Sequence, residues 1–217
     1  MKKKLKESEK NKTNMHNIKF LTRNQQFILA SSSKTRIERS KEIFGDLKIV
    51  EHRLDEKKEK IKNKQKTAED QAKLLSRKKA ESIQKEFPKQ IIIASDQILE
   101  CKGKILSKPM NLKEAEENIN YLTGKTHTLF SSIYVIKESK LYFEELKKAE
   151  IQFKKISHNQ ISKYLNENKE TALSSVGSYK IEENKKYGFV DVISGDWETI
   201  IGFPLKNFLI KLKGEFL

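Results

Sequence analysis

Ile91-Ile92-Ile93-Ala94-Ser95-Asp96-Gln97 decides the fold: four apolar residues break off at a serine, an acid and an amide. A short apolar run set off by Pro88 upstream and polar residues downstream reads as a buried strand. An acid placed where such a strand surfaces is where an open α/β sheet builds its chemistry. A second apolar run, Phe27-Ile28-Leu29-Ala30, ends the same way, in Ser31-Ser32-Ser33 and a helix start containing Arg36. One strand end offers a carboxylate; the other offers hydroxyls, amides and a guanidinium. Together they point to a site for an anionic substrate with a metal.

Outward from these strands, the chain alternates helix and strand signals. Residues 34–44 read as a helix running to Gly45, with N-cap hydroxyls available from Ser31 to Ser33. Residues 47–50 read as a short strand, and the nearly all-charged stretch 54–66 as an exposed loop. Over 67–87, Ala68, Ala72, Leu75 and Ile83 share one apolar arc of a helix, with Lys79 near its middle. The Lys79 stem can pack on the sheet while its ammonium reaches solvent, or the helix can present the amine to a pocket; spacing leaves both open. Residues 100–104 form a hairpin-like turn, 112–122 an amphipathic helix, 126–137 a strand and 141–156 one or two more. Ser157-x-x-Gln160 is a capping box for a helix over 158–167. Residues 189–201 read as a hairpin turning at Ser194-Gly195-Asp196, followed by a helix over 205–212. The predicted class is α/β, a mixed twisted sheet flanked by helices.

The 217 residues suffice for one generous α/β domain or two small ones. Residues 1–26 carry eight Lys/Arg against two acids and no apolar core, so they read as a disordered basic extension rather than a secretory signal. Residues 27–217 are expected to form a single domain. The net charge of +15 comes from 40 Lys and only five Arg. Specific phosphate grips favour the bidentate fork of Arg, and no aromatic residue is interleaved with the basic residues of 1–19 or 56–66. Compositional drift is therefore the preferred reading, which argues against a nucleic-acid partner. The single cysteine, Cys101, excludes an internal disulfide and suits a reducing cytoplasm. No apolar run approaches the ~20 residues needed to cross a bilayer, so no membrane partner is expected.

Asp96 can ligate Mg²⁺ or act as a general base, or simply cap a turn. Arg36, in the first turn of a helix, opposes the helix dipole. The helix start beside Ser31 and Ser33 can cradle phosphate, yet it lacks the glycine patterns of a dinucleotide fold or a P-loop. Lys108 is held in extended backbone by Pro109. His16, His52, His127 and His158 are isolated in sequence, which argues against a zinc site.

Eight segments, in order and spacing, resemble the Maf family of nucleotide pyrophosphatases. They are Ile28-Leu29-Ala30-Ser31-Ser32-Ser33 with Arg36; Asp55-Glu56; Lys79-Ala80; Ser95-Asp96-Gln97; Lys108-Pro109; Gly124-Lys125-Thr126-His127; Gly177-Ser178-Tyr179-Lys180-Ile181-Glu182; and Gly202-Phe203-Pro204-Leu205. The resemblance covers about residues 27–213 and implies a cleft between two lobes, as in the related ITPase-like fold. It implies metal-dependent hydrolysis of nucleoside triphosphates to monophosphate and pyrophosphate, removing non-canonical or modified nucleotides. Asp96 matches the family's general base or metal-linked carboxylate, and Glu56 its acidic partner, the pair holding Mg²⁺ or Mn²⁺. Arg36, Lys79 and Lys108 match phosphate-contacting cations, with Ser31 and Ser33 lining the phosphate pocket. Thr35, Gln97 and Glu182 fall on positions that tune base preference, the last two resembling the 7-methyl-GTP subfamily.

The family's Ser-Pro-Arg-Arg becomes Ser33-Lys34-Thr35-Arg36, Ser107 replaces a glycine, and the loop after Glu182 is longer and more basic. The resemblance also implies a cytoplasmic protein and a homodimer. Two other readings stand beside it: a non-catalytic nucleotide or nucleic-acid binding protein, and a weakly active regulator of septum formation.

Overall fold

A computed structural model describes residues 26–215, so the basic extension expected over 1–26 lies, apart from Gln26, outside the described residues. The strands are β1 (Phe27–Ala30), β2 (Lys48–Val50), β3 (Ile91–Cys101), β4 (Lys104–Leu106), β5 (Thr126–Lys137), β6 (Lys140–Phe153) and β7 (Val190–Ser194). They form a seven-stranded sheet in the order β2-β1-β3-β5-β6-β7, with β4 added beside β3. The pairings of β1 with β2 and β3 are parallel, and the others are antiparallel. The helices are α1 (Lys34–Phe44), α2 (Glu56–Lys62), α3 (Ala68–Gln84), α4 (Leu112–Leu122), α5 (His158–Glu167), α6 (Lys169–Ser174), α7 (Asn184–Tyr187), α8 (Trp197–Ile200) and α9 (Lys206–Gly214). The expected mixed α/β class is the observed one.

β3 governs the arrangement, and it does not stop at Ser95 as its apolar run suggests. β5 pairs with it residue by residue from Ile91 to Glu100, so the backbone of Ser95-Asp96-Gln97 stays inside the ladder. What stops is its neighbour. β1 pairs with β3 through Ile93, and β4 joins only at Leu99. Between these points β3 is paired on one side, which opens the sheet beside the polar triplet.

Strand alternation sends successive side chains to opposite faces. Ile91 and Ile93 pack with Phe44 of α1 and Phe208 of α9, whereas Ile92 and Ala94 pack with Ala80 and Ile83 of α3. Beyond the gap, Leu99 and Cys101 join a separate core with Ile119 of α4 and Tyr164 of α5. The chain thus builds apolar clusters on both sides of the break in pairing, and the break lies between them.

Three sequence expectations are corrected. Residues 54–66 are not a loop: Asp55 accepts the Lys58 amide at 3.0 Å and caps α2. Glu56 and Glu59 at the start of α2, with Lys60 and Lys62 at its end, complement the helix dipole. Residues 189–201 are not a hairpin, because Asp196 accepts the Thr199 amide at 2.8 Å and turns the chain into α8. Ser33 sits at the N-cap of α1 without a side-chain capping bond; its own N–H donates to Ser31 Oγ at 3.1 Å. The stretch from 141 to 156 yields one strand, β6. The capping box at Ser157 forms as expected.

His127 opens β5, buried, with Nε2 2.6 Å from the Tyr179 hydroxyl. Burial lowers its pKa from 6.5 to about 4. The folded state therefore favours neutral imidazole, and the unfolded chain takes up the proton first as pH falls. This contribution is complete above about pH 6.5 and is lost on descent toward about pH 4, amounting to about 3 kcal/mol in all. Urea unfolding at several pH values should show a flatter acid limb in His127→Gln than in the parent; identical limbs would refute the assignment.

Candidate active site

Lys79 lies on the buried face of α3, and Asp96 is an even-numbered residue of β3 facing that helix. Their side chains are each about 5% exposed, and Lys79 Nζ donates to Asp96 Oδ1 at 2.5 Å. The same ammonium lies 3.0 Å from Glu56 Oε1, at the start of α2. The open question about Lys79 is thereby answered: its amine ends on two carboxylates rather than in solvent. Asp96 Oδ2 is buried and has no hydrogen-bond partner.

His52 Nε2 lies 3.1 Å from Glu56 Oε1. Burial tends to raise the Glu56 pKa, but the His52 hydrogen bond and the Lys79 charge outweigh it and hold the carboxyl well below the usual range. Glu56 is therefore ionised at neutral pH.

Ser95 and Gln97 point to the other face and tie β3 to the C-terminal part of the chain. Ser95 Oγ lies 2.7 Å from Ser132 O and 2.8 Å from Gly202 O. Arg36 Nη1 donates to Ser95 O at 2.7 Å and Arg36 Nε to Gly202 O at 3.0 Å. Burial pulls the Arg36 pKa down, and Asp96 and Glu56 push it back up. Gly202 has φ +79°, and a Cβ there would lie 3.1 Å from Arg36 Nη2 and 3.2 Å from Gln97. Only glycine lets this turn approach both side chains.

Gln97 Nε2 faces Ser131 Oγ at 3.0 Å, Thr199 O at 3.1 Å and Ile200 O at 2.9 Å. Two carbonyls and a hydroxyl at one end of the amide identify that end as the NH₂. Its oxygen is left as an acceptor.

The charged cluster, Arg36 and Gln97 border one cleft that is open to solvent. The sequence-derived residues Ser33, Thr35, Arg36, Glu56, Lys79, Asp96, Gln97, Lys108 and Glu182 all border it, and Ser31 lies behind, bonded to the Ser33 amide. Lys108 is exposed at the rim, and its ammonium makes no ion pair among the described residues. The protein around that ammonium, then the like charge of Arg36, lowers its pKa. Thr35 Oγ1 donates to Glu182 Oε1 at 3.4 Å, joining the start of α1 to the 177–182 segment. That segment is shaped by Gly177 (φ +71°), where a Cβ would lie 2.6 Å from Leu99 Cδ1.

Sequence reasoning missed His52, Lys60 and the carbonyls of residues 199, 200 and 202. The His52–Glu56 spacing carried a faint signal; the carbonyls carry none, because backbone acceptors are the same in every residue. Among the described residues, no group of three or more His, Cys, Asp or Glu could hold a metal ion. The unpartnered Asp96 Oδ2 and the ionised Glu56 nevertheless fit a hard cation that takes its remaining ligands from water and phosphate.

The family described as Maf-like protein matches residues 26–215. A nucleoside triphosphate pyrophosphatase of Nitrobacter winogradskyi is 33% identical, over 70% of this chain and 74% of its own. A 7-methyl-GTP pyrophosphatase of Bartonella henselae is 31% identical, over 86% of this chain and 93% of its own. Among solved structures, the Ham1 protein of Staphylococcus aureus aligns over 88% of this chain and 100% of its own, with 14% identity and a TM-score of 0.45. No helix among the described residues is long and apolar enough to cross a membrane.

Removing one partner of a buried ion pair strands the other charge. Lys79→Met, which keeps the apolar stem, should cost about 3 kcal/mol in urea unfolding. Adding Asp96→Asn should recover most of that loss; strictly additive costs would show that the two side chains are not coupled.

Proposed function

The chain belongs to the Maf-like protein family, and from that premise we propose that it hydrolyses nucleoside triphosphates to the monophosphate and pyrophosphate. The observation that carries this reading is the Glu56–Lys79–Asp96 cluster, two carboxylates sharing one buried ammonium at the wall of an open, cation-lined cleft. The cleft is open to solvent, and residues of α1, α2, α3, β3 and the 174–182 segment border it, so a nucleotide can enter from its mouth.

Hydrolysis at the α-phosphorus is a matter of positioning water and neutralising charge on the phosphate oxygens. Water attacks the α-phosphorus, the bond to the bridging oxygen breaks, and pyrophosphate departs. The water's proton passes to a carboxylate of the cluster, with Asp96 the assigned acceptor. Lys79 holds Asp96 and Glu56 in register, so both are in place before substrate arrives. Asp96 Oδ2 and Glu56 would hold Mg²⁺ or Mn²⁺, which when bound supplies further neutralisation of phosphate charge. Arg36 has two of its donor nitrogens on carbonyls, so its contact with phosphate falls to Nη2. Lys108 makes no ion pair among the described residues and can meet the polyphosphate directly. The first amides of α1, beside Ser31 and Ser33, face an anion favourably.

For the base, the reading is 7-methyl-GTP. Gln97 offers its amide oxygen and Glu182 a carboxylate, both acceptors suited to the donor edge of guanine. Methylation at N7 makes that ring cationic, which an acid at the rim favours. Relatives named 7-methyl-GTP pyrophosphatase support the same preference. Cytoplasmic residence and homodimer formation remain parts of this proposal.

Pyrophosphate release from a panel of methylated and ordinary triphosphates, with and without Mg²⁺ or Mn²⁺, tests the reading. Asp96→Asn should still unfold cooperatively, at a lowered temperature because Lys79 loses one carboxylate, and should lose about 10²–10⁴-fold in turnover; near-parental turnover would overturn the assignment. Lys79→Met should lose activity as well, whereas a merely space-filling lysine would leave it intact. Glu182→Gln should lower kcat/KM for 7-methyl-GTP more than for GTP, and an equal loss on both would remove Glu182 from base selection.

A further inference from the structure

The cleft wall carries five cations: Arg36, Lys60, Lys79, Lys108 and Lys180. Two are already engaged, Lys79 on the carboxylates and Arg36 on the carbonyls of Ser95 and Gly202. Lys180 belongs to the 177–182 segment beside Glu182. Lys60 and Lys108 border the cleft without an ion pair among the described residues, and Lys60 has been given no role.

Lys60 stands one helical turn after Glu56 on α2, so the two share a face. Of the lysines on α2, Lys57, Lys58 and Lys62 are exposed, and Lys60 alone is half-buried against the cleft. Its ammonium makes no hydrogen bond or ion pair among the described residues. Its charge is nevertheless felt at Glu56, where it helps to hold the carboxyl ionised. An ordinary solvated lysine would share the exposure of its neighbours and would not border the cavity. A lysine needed only to balance Glu56 would be superfluous, because Lys79 and His52 already contact that carboxylate.

We propose that Lys60 is a substrate-binding residue whose ammonium, together with Lys108, receives the pyrophosphate end of the nucleotide. This rests on the hydrolytic reading above and adds a residue to it. Placing a lysine on α2 also gives that helix a function: it brings Glu56 to the reacting phosphate and Lys60 to the leaving group on one rigid element. No covalent step involves Lys60; it offsets charge as the α–β bond breaks and pyrophosphate carries the electrons away.

Calorimetric titration of the full chain with inorganic pyrophosphate, and separately with GMP, tests the assignment without requiring turnover. Lys60→Gln should weaken pyrophosphate binding about tenfold or more while GMP binding stays within twofold of the parent. Lys60→Arg should restore most of the loss, and Lys57→Gln, an equal charge change on the exposed face, should leave both titrations unaltered. The inference is overturned if Lys60→Gln binds pyrophosphate like the parent, if GMP weakens to the same degree, or if Lys57→Gln has an equal effect. It is also overturned if the parent does not bind pyrophosphate. Failure of every triphosphate to be hydrolysed, with this pyrophosphate pattern intact, would count against the hydrolytic reading alone.

Discussion

The contact on which the site depends is the buried ammonium of Lys79 between Asp96 and Glu56. Two carboxylates brought together in a partly buried wall repel each other, and each is penalised for leaving water. One shared cation lowers both costs at once, and it joins three elements distant in sequence: α2, α3 and β3. The cost of extracting that ammonium from water is met by the apolar residues above and below it on α3, which fix the helix on the sheet. Ala72, Leu75, Ala80 and Ile83 are essentially inaccessible to solvent. The pairing is therefore held by packing, and the packing is tolerable only because the charge within it is paired.

β3 then distributes the chemistry. Asp96 faces α3 and meets the charged cluster, while Ser95 and Gln97, one residue to either side, face the opposite layer. They bond to Gly202, Thr199 and Ile200. In the interval between the last partner of β1 and the first partner of β4 one edge of β3 is open, and there Gln97 borders the cleft while Ser95 stays buried as a tie to Gly202. Acid and amide can thus border the same cleft although their side chains start on different faces of the sheet.

Much of this was legible in the sequence because it depends on local periodicity. The helix at 112–122, the strand at 126–137 and the capping-box helix at 158–167 have the bounds their patterns predict. The continuation of β3 past Ala94 was not, because its Ser-Asp-Gln interruption looks like a strand end unless partners for those polar groups are known. Those partners are 17 residues away for Asp96 and more than 100 for Gln97 on the Thr199 and Ile200 carbonyls. The α2 helix was overlooked for a different reason: with no buried residue it has no apolar face to detect, and only the Asp55 cap marked it. Among the candidate residues the types were readable from motifs, but which cations were free and which engaged was not. That division depends on backbone carbonyls brought in by the last strand-to-helix segment.

The distribution of free charge also bears on the chain's departures from the family pattern. Where that pattern has two adjacent arginines at the start of the first helix, this chain has Thr35 and Arg36. Thr35 is turned to Glu182, and Arg36 spends two nitrogens on carbonyls. Lys34 in the same turn is exposed and does not border the cleft, so on its cleft side the start of α1 is poor in free positive charge, though its amides remain. The deficit lies opposite a helix that is rich in lysine and turns one of those lysines into the same cleft. A polyphosphate needs a total of neutralising charge at the right distance, and the Coulomb term does not record which element supplies it. Moving one cation from α1 to α2 preserves that total. It leaves Thr35 free to bridge the cleft to Glu182, so the same substitution that removes a cation adds a constraint on the residue facing the base.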